Sequence, residues 1–406
     1  MISILTYIQH IGWPIVALFA FFLLNPFDLG YLAGYLLVPI IYTRGDFIKT
    51  NLDSSFFILF IFSVVYALFY SFDPNMHIQT FVFYMFFPPT FYLLGKYFVI
   101  KTKTVRQLYI LFFIVACLYS FTALASVALN LVKGGFAQYD RTIGIFWNGR
   151  LVTATLMAAF FTYNMCIPTL LLIPQKKIKL VYKLGAVGIF IISLLCTFRL
   201  GSRTQLAICM LSIVMGLLFI IPKQSIKQNL KLFAFMIIMA FALLKFVSFD
   251  LDADYLSVLG NRLQESEDTG TAGNRSQRWA KSLANLFTKP FGWERTEFGY
   301  SHNLWLDVAQ STGLLPFILL LLFTIKSSLK IVKVILVKNQ NLPFQTMVIT
   351  YFMATHLLFF VEPVMLGAFY MFVLFCFFQG ATNVYAKNWL NNETISSPEQ
   401  DSKLVQ

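Results

Sequence analysis

Charge is scarce in this sequence of 406 residues, and negative charge is scarcest: charged residues make up 12%, with 18 acids against 31 bases. Soluble domains carry roughly 25% charged and roughly 45–50% apolar residues. Here 58% is apolar, and phenylalanine alone occurs 46 times. No water-facing core absorbs that much apolar surface. Histidine occurs only 4 times and cysteine 5. Cys117, Cys166, Cys196, Cys209 and Cys376 lie in or beside apolar runs, which reads as buried free thiols. No CxxC or Cys/His spacing speaks for a metal. No repeat of roughly 20–50 residues is present. Nor is there a small-residue processing site near the N-terminus, so Ile11–Leu24 reads as a permanent span rather than a cleaved signal. A basic soluble stretch is missing as well, so the net charge of +13 does not point to nucleic acid.

What the chain does have is apolar runs, many near the ~20 residues that a bilayer-spanning helix needs. They fall at Ile11–Leu24, Gly30–Tyr42, Phe56–Phe72, Thr80–Ile100, Gln107–Leu131 and Leu151–Ile173. They continue at Val181–Thr197, Gln205–Ile221, Leu232–Val247, Leu304–Ile325, Gln345–Val361 and Met365–Phe378. The expected fold is an all-α integral membrane protein with about twelve transmembrane helices. The membrane domain spans 1–380, one large external loop covers about 248–303 and carries short helices, and a polar tail, 381–406, reads as disordered.

Lysines fall in alternate loops: Lys49; Lys101 and Lys103; Lys176, Lys177, Lys179 and Lys183; Lys223, Lys227 and Lys231; Lys326, Lys330, Lys333 and Lys338. The positive-inside rule makes those loops, and both termini, cytoplasmic. The opposite loops hold eight of the ten arginines: Arg141, Arg150, Arg199, Arg203, Arg262, Arg275, Arg278 and Arg295. Topology alone disfavours that placement. A guanidinium grips phosphate with two prongs where an ammonium offers a point charge, so the outward arginines point to an anionic ligand.

The large external loop opens on Tyr255, Leu256, Leu259 and Leu263, spaced as one face of a surface helix. Asn274 is placed to cap a second helix through Phe287. Arg275 and Arg278 stand on one side of it and Trp279, Leu283 and Leu286 form an apolar stripe. An interfacial helix whose arginines meet lipid phosphates is the plainer alternative. Asp250, Asp252 and Asp254 form a DxDxD run, but Tyr255 and Asn261 stand where a calcium loop wants glycine and glutamate. They read as solvated acids, and no metal site is assigned. His302 precedes the tenth run and has a pKa range suited to proton transfer; it serves equally as an anion contact or a helix cap. Glu297 and Asp307 are reserve bases, and His356, mid-run, reads as a packed residue. Phe146 and Trp147, between Arg141 and Arg150, read as interface anchors.

Three motifs resemble the O-antigen ligase and polymerase superfamily. Ser202-Arg203 in TFRLGSRTQLAI is similar to that family's Ser-Arg element. Arg275 with Trp279 four residues on, then Pro290 and Gly292, resembles its Arg-x-x-x-Trp and Pro-x-Gly elements. His302-Asn303 followed by Gly313 resembles its His-Asn…Gly element. Trp293 stands where a second glycine often follows Pro-x-Gly. The resemblance implies a multi-span glycosyltransferase of the bacterial inner membrane, working at the periplasmic face. Its donor is a glycan on undecaprenyl diphosphate and its acceptor a sugar hydroxyl: lipid A core for a ligase, a lipid-linked repeat unit for a polymerase. It implies no cofactor and no metal. Arg203 and Arg275 are then expected to stabilise the leaving diphosphate, with His302 as base or diphosphate contact. Arg199, Arg278, Trp279 and Asn303 are expected to bind substrate. A transporter or flippase for lipid-linked glycans is the rival class, but the paired, interrupted repeats of that class are not seen.

Overall fold

A computed structural model describes residues 4–72, 77–136, 138, 140–173, 180–246, 253–261, 275–294, 299–336 and 341–392. About 82% is helical, the architecture of an all-α membrane protein. Among the described residues six helices are long and apolar enough to cross a membrane: Val105–Gly134, Leu180–Arg199, one within Arg203–Lys223, Leu314–Leu336, Leu342–Val361 and one within Phe369–Lys387. A seventh arises if Gly45–Asn51 and Ser54–Tyr70, bent by 105°, count as one span.

Several expected spans are interrupted, each by a local cause. Gly12 takes φ +105 between Ile4–Ile11 and Trp13–Leu24. The run Leu151–Ile173 is no single helix. It begins as a strand, Leu151–Thr153, and continues through short helices Ala154–Ala159, Asn164–Cys166 and Ile167–Leu171. Its Asn164 amide nitrogen donates to Ser120 Oγ and Ser193 Oγ, both at 2.9 Å, which ties this irregular stretch to two neighbouring helices, and Pro168 starts the next turn. The run Leu304–Ile325 divides into Leu304–Thr312 and Leu314–Leu336 at Gly313, whose φ of +88 no side-chain-bearing residue adopts easily.

The helices Ile78–Ile100 and Phe369–Asn392 pack closely against each other. A Cβ on Gly95 would overlap Phe377 O, and one on Gly380 would overlap Tyr92 O, so paired small residues let two backbones touch. That contact corrects the expected disordered tail. The last helix runs through Asn392, with Ala381, Thr382, Val384 and Tyr385 buried. Its Asn383 and the hydroxyl of Tyr92 both bond to Asp53, which also pairs with Lys96 Nζ and lies 3.9 Å from Lys330 Nζ. Residues 393–406 lie outside the described residues.

The Arg141–Arg150 loop is a β-hairpin. Thr142–Gly144 pairs antiparallel with Leu151–Thr153, Ile143 facing Val152, and Gly149 turns at φ +71. The hairpin sits on the helix Val105–Gly134: Phe146 N donates to Ser126 Oγ at 3.0 Å and Trp147 Nε1 to Thr122 Oγ1 at 3.2 Å. Trp147 therefore pins the hairpin to the bundle.

Candidate functional site

The polar segment Arg275–Gly313 folds into a frame for one loop. The helix Arg275–Thr288 is held against Ser301: Trp279 Nε1 donates to Ser301 O at 2.9 Å, and Ser282 Oγ lies 2.8 Å from Ser301 Oγ. Arg278 NH1 reaches Tyr300 O at 3.1 Å. From the other side Asp307 accepts from the backbone N–H of Ser301 at 2.7 Å and of Asn303 at 3.2 Å. Asn303 Oδ1 caps the helix Leu304–Thr312 through Leu306 N. His302, bracketed by these bonds, takes φ +55, a strained conformation for a residue with a side chain.

The Pro-x-Gly turn and Gly313 lock together below that loop. Leu314 N donates to Pro290 O at 2.8 Å and Trp293 N to Gln310 O at 3.0 Å. A Cβ on Gly292, where φ is +101, would come 2.7 Å from Gln310 O, and one on Gly313 would overlap Pro290 O. The two glycines are required by this backbone-to-backbone contact. Trp293 is buried with Leu286 and Ala309, so the place of a second glycine is taken by a side chain that fills the seam.

Five separate stretches of sequence converge on a cavity of about 500 Å³. Its polar lining is Arg141, Thr155, Ser202, Arg203, Thr204, Arg275, Arg278, His302 and Glu362, and its apolar lining includes Ala154, Leu200, Ala207, Leu357 and Val361. Arg141 comes from the foot of the hairpin and reaches Thr155 Oγ1 at 3.3 Å. Arg203 opens the helix Arg203–Ile220, after a turn at Gly201 with φ +56, so a helix N-terminus faces the same space. Glu362 follows the helix Leu342–Val361; its Oε1 accepts from Thr204 Oγ1 at 3.2 Å and lies 3.9 Å from Arg275 NH2. Among the described residues four guanidinium groups thus share the cavity with one carboxylate, a field that favours an anion.

His302 is half-buried in that field. Burial first, then the charges of Arg275 and Arg278, push its pKa from 6.5 down to about 4. The imidazole is neutral at ordinary pH, and its buried Nδ1 makes no hydrogen bond among the described residues. An anion seated among the arginines offsets their charge and raises the basicity of His302.

The cavity gathers Arg203, Arg275, Arg278 and His302 of the residues expected in a site. Three others are placed differently. Arg199 is turned into the bundle at 2% exposure, where it donates to Asn130 Oδ1 at 3.0 Å, Gln138 O at 3.0 Å and Gln138 Oε1 at 2.9 Å; its fork is filled by the chain itself. Trp279 and Asn303 bind backbone rather than line the cavity: each holds the loop that presents His302. Asp307, a reserve base, does the same. Arg150 pairs with Asp28 at 2.7 Å on the far side of the hairpin. His356 is packed between Phe352, Phe375 and Trp305. Arg262, Arg295, Glu297, Asp250 and Asp252 lie outside the described residues. Arg141, one of the outward arginines, also lines the cavity, and Glu362 has no place in the sequence reading. The signal for Glu362 was available: an acid at the end of an apolar run, followed by Pro363, in a loop of the arginine-bearing parity.

No protein-family model matches this chain, and no curated protein matches it in sequence.

Proposed function

We propose that this protein is a membrane glycosyltransferase of the O-antigen ligase type, which moves a glycan from undecaprenyl diphosphate to an acceptor sugar, lipid A core, at the periplasmic face of a bacterial inner membrane. The observation that carries the reading is the single cavity that brings Arg141, Arg203, Arg275 and Arg278 around His302. Such a set suits a diphosphate. In the transfer, an acceptor hydroxyl attacks the anomeric carbon, the bond from that carbon to the diphosphate oxygen breaks, and the electron pair leaves with the diphosphate. The guanidinium groups, fixed beforehand by the frame, stabilise that growing charge. His302 takes the hydroxyl proton once the bound donor has restored its basicity. Glu362 orients Arg275. Since arginines neutralise the leaving group, turnover is expected to survive a chelator; loss on chelation with recovery on added magnesium would return Asp250, Asp252 and Asp254 to consideration.

Extension of lipid-linked repeat units by a polymerase uses the same donor chemistry and differs in the acceptor. Purified protein in sealed proteoliposomes, given lipid-linked glycan with either lipid A core or a second lipid-linked unit, separates the two. Release of undecaprenyl diphosphate with glycan joined to core supports the ligase. Joining to the second unit supports the polymerase, and movement across the bilayer without release supports a flippase and sinks both.

A further inference from the structure

The helix Arg275–Thr288 has two apolar sides, and the described residues cover only one. Inward, Leu286 is buried against Trp293 and Ala309, while Arg275 and Arg278 enter the cavity. Outward, Ala280, Leu283, Ala284 and Phe287 recur at i, i+3, i+4 and i+7, the period of one helical face, and all four are exposed. Leu283 is 54% exposed and Phe287 77%; Phe291, just past the helix end, is 80% exposed. Water is a poor neighbour for such a stripe.

The stripe does not end at the loop. The bond from Leu314 N to Pro290 O seats Phe291 beside the start of Leu314–Leu336, a helix long and apolar enough to cross a membrane. On that helix Leu315, Ile318 and Leu322 are exposed, the side such a helix turns to hydrocarbon. Phe291 thus links the end of the surface helix to this transmembrane helix, and the exposed Gln277 and Lys281 stand beside the stripe.

We propose that the bilayer itself covers this stripe: the helix Arg275–Thr288 lies in the membrane interface, its Leu283, Phe287 and Phe291 among the acyl chains and its arginines turned inward to the cavity. An ordinary interfacial helix points its cations at lipid phosphates; this one turns two of them away from the lipid. The cavity is thereby held at headgroup depth, where the polar part of a membrane-anchored ligand resides. The inference stands on the exposed stripe and does not depend on the transfer reaction.

Nitroxide labels on Leu283→Cys, Phe287→Cys, Gln277→Cys and Lys281→Cys, each in the full-length protein in lipid nanodiscs, test it by collision with oxygen and with a water-soluble nickel chelate. The unsubstituted protein, labelled in parallel, supplies the background from its own cysteines. Labels at 283 and 287 are expected to meet oxygen readily and be shielded from the chelate, and those at 277 and 281 to show the reverse preference. Equal chelate access at 287 and 277 overturns the proposal. So does dipolar broadening at 287 in nanodiscs holding two copies, which would assign the stripe to a second copy instead.

Discussion

His302 is held at φ +55 by hydrogen bonds to both neighbours' backbones, and burial, with two guanidinium groups beside it, lowers its pKa to about 4. Its folded pKa lies below its ordinary 6.5, so the stability it permits is complete above about 6.5 and falls as pH drops toward about 4, while the unfolded chain takes up the proton first. Under the proposed function the same proton governs transfer. If His302 is the base, transfer is lost as the imidazole protonates. A bound diphosphate raises that pKa, so the acid limb of kcat is expected at higher pH than the acid limb of kcat/KM. Coincident limbs, or limbs unchanged in His302→Gln, would remove His302 from proton transfer. Arg275→Lys keeps charge but loses the fork and is expected to cost about 2–4 kcal/mol of transition-state stabilisation, roughly thirtyfold to a thousandfold in single-turnover rate. His302→Ala is expected to stop transfer while donor affinity stays close to wild type. Should it lose affinity as Arg275→Lys does, His302 is a diphosphate contact and Glu362, whose carboxylate shares the cavity, becomes the better base.

At the scale of elements, the seam between the Pro290–Gly292 turn and Gly313 supports the frame. Gly313→Ala places a Cβ against Pro290 O at a φ of +88, and is expected to destabilise by about 1–3 kcal/mol. Gly188→Ala meets nothing within 4 Å in an ordinary helix and is expected to be neutral or slightly stabilising. Thermal unfolding of both variants in detergent measures the difference; equal midpoints would mean the seam contributes nothing. Most helices were legible from apolar runs. The breaks were not. Nothing in the run Leu151–Ile173 announces that Asn164 bonds to Ser120 and Ser193 on other helices. Nor does composition separate the polar residues after Gly380 from a disordered tail, because Asn383 finds its partners in Asp53 and Tyr92, far away in sequence. The stripe expected at Trp279, Leu283 and Leu286 is also split: Leu286 goes inward and Leu283 outward.

For the whole molecule, the alternation of lysine loops and arginine loops makes a topological prediction. Reporter fusions after Lys179 and Lys330 are expected to be cytoplasmic, and fusions near Thr271 periplasmic. A cytoplasmic signal at Thr271 would put the arginine cavity on the wrong side for a periplasmic donor and end the proposed function. The structure adds an independent check at the other end of the bundle. Asp53 gathers Lys96 and Lys330 there, and Lys326 and Lys330 bond Ser54 and Ser55. Fusions reporting those lysines on the arginine side would contradict both arguments.

The sequence by itself determined that this is an all-α membrane protein, because apolar composition and run length are local properties that a bilayer reads directly. It also made Arg141, Arg203, Arg275 and Arg278 visible, since arginines outside the lysine loops are anomalous one residue at a time, and the motif resemblance added His302. Only the tertiary structure decided which arginines share a cavity. Arg199 and Arg203 are four residues apart, yet Gly201 turns the chain between them, and one guanidinium is consumed by Asn130 and Gln138 while the other faces the cavity. Arg141 and Glu362 join across more than 200 residues for the same reason. A side chain's partners are set by which helix faces pack together, and that depends on contacts far apart in the chain.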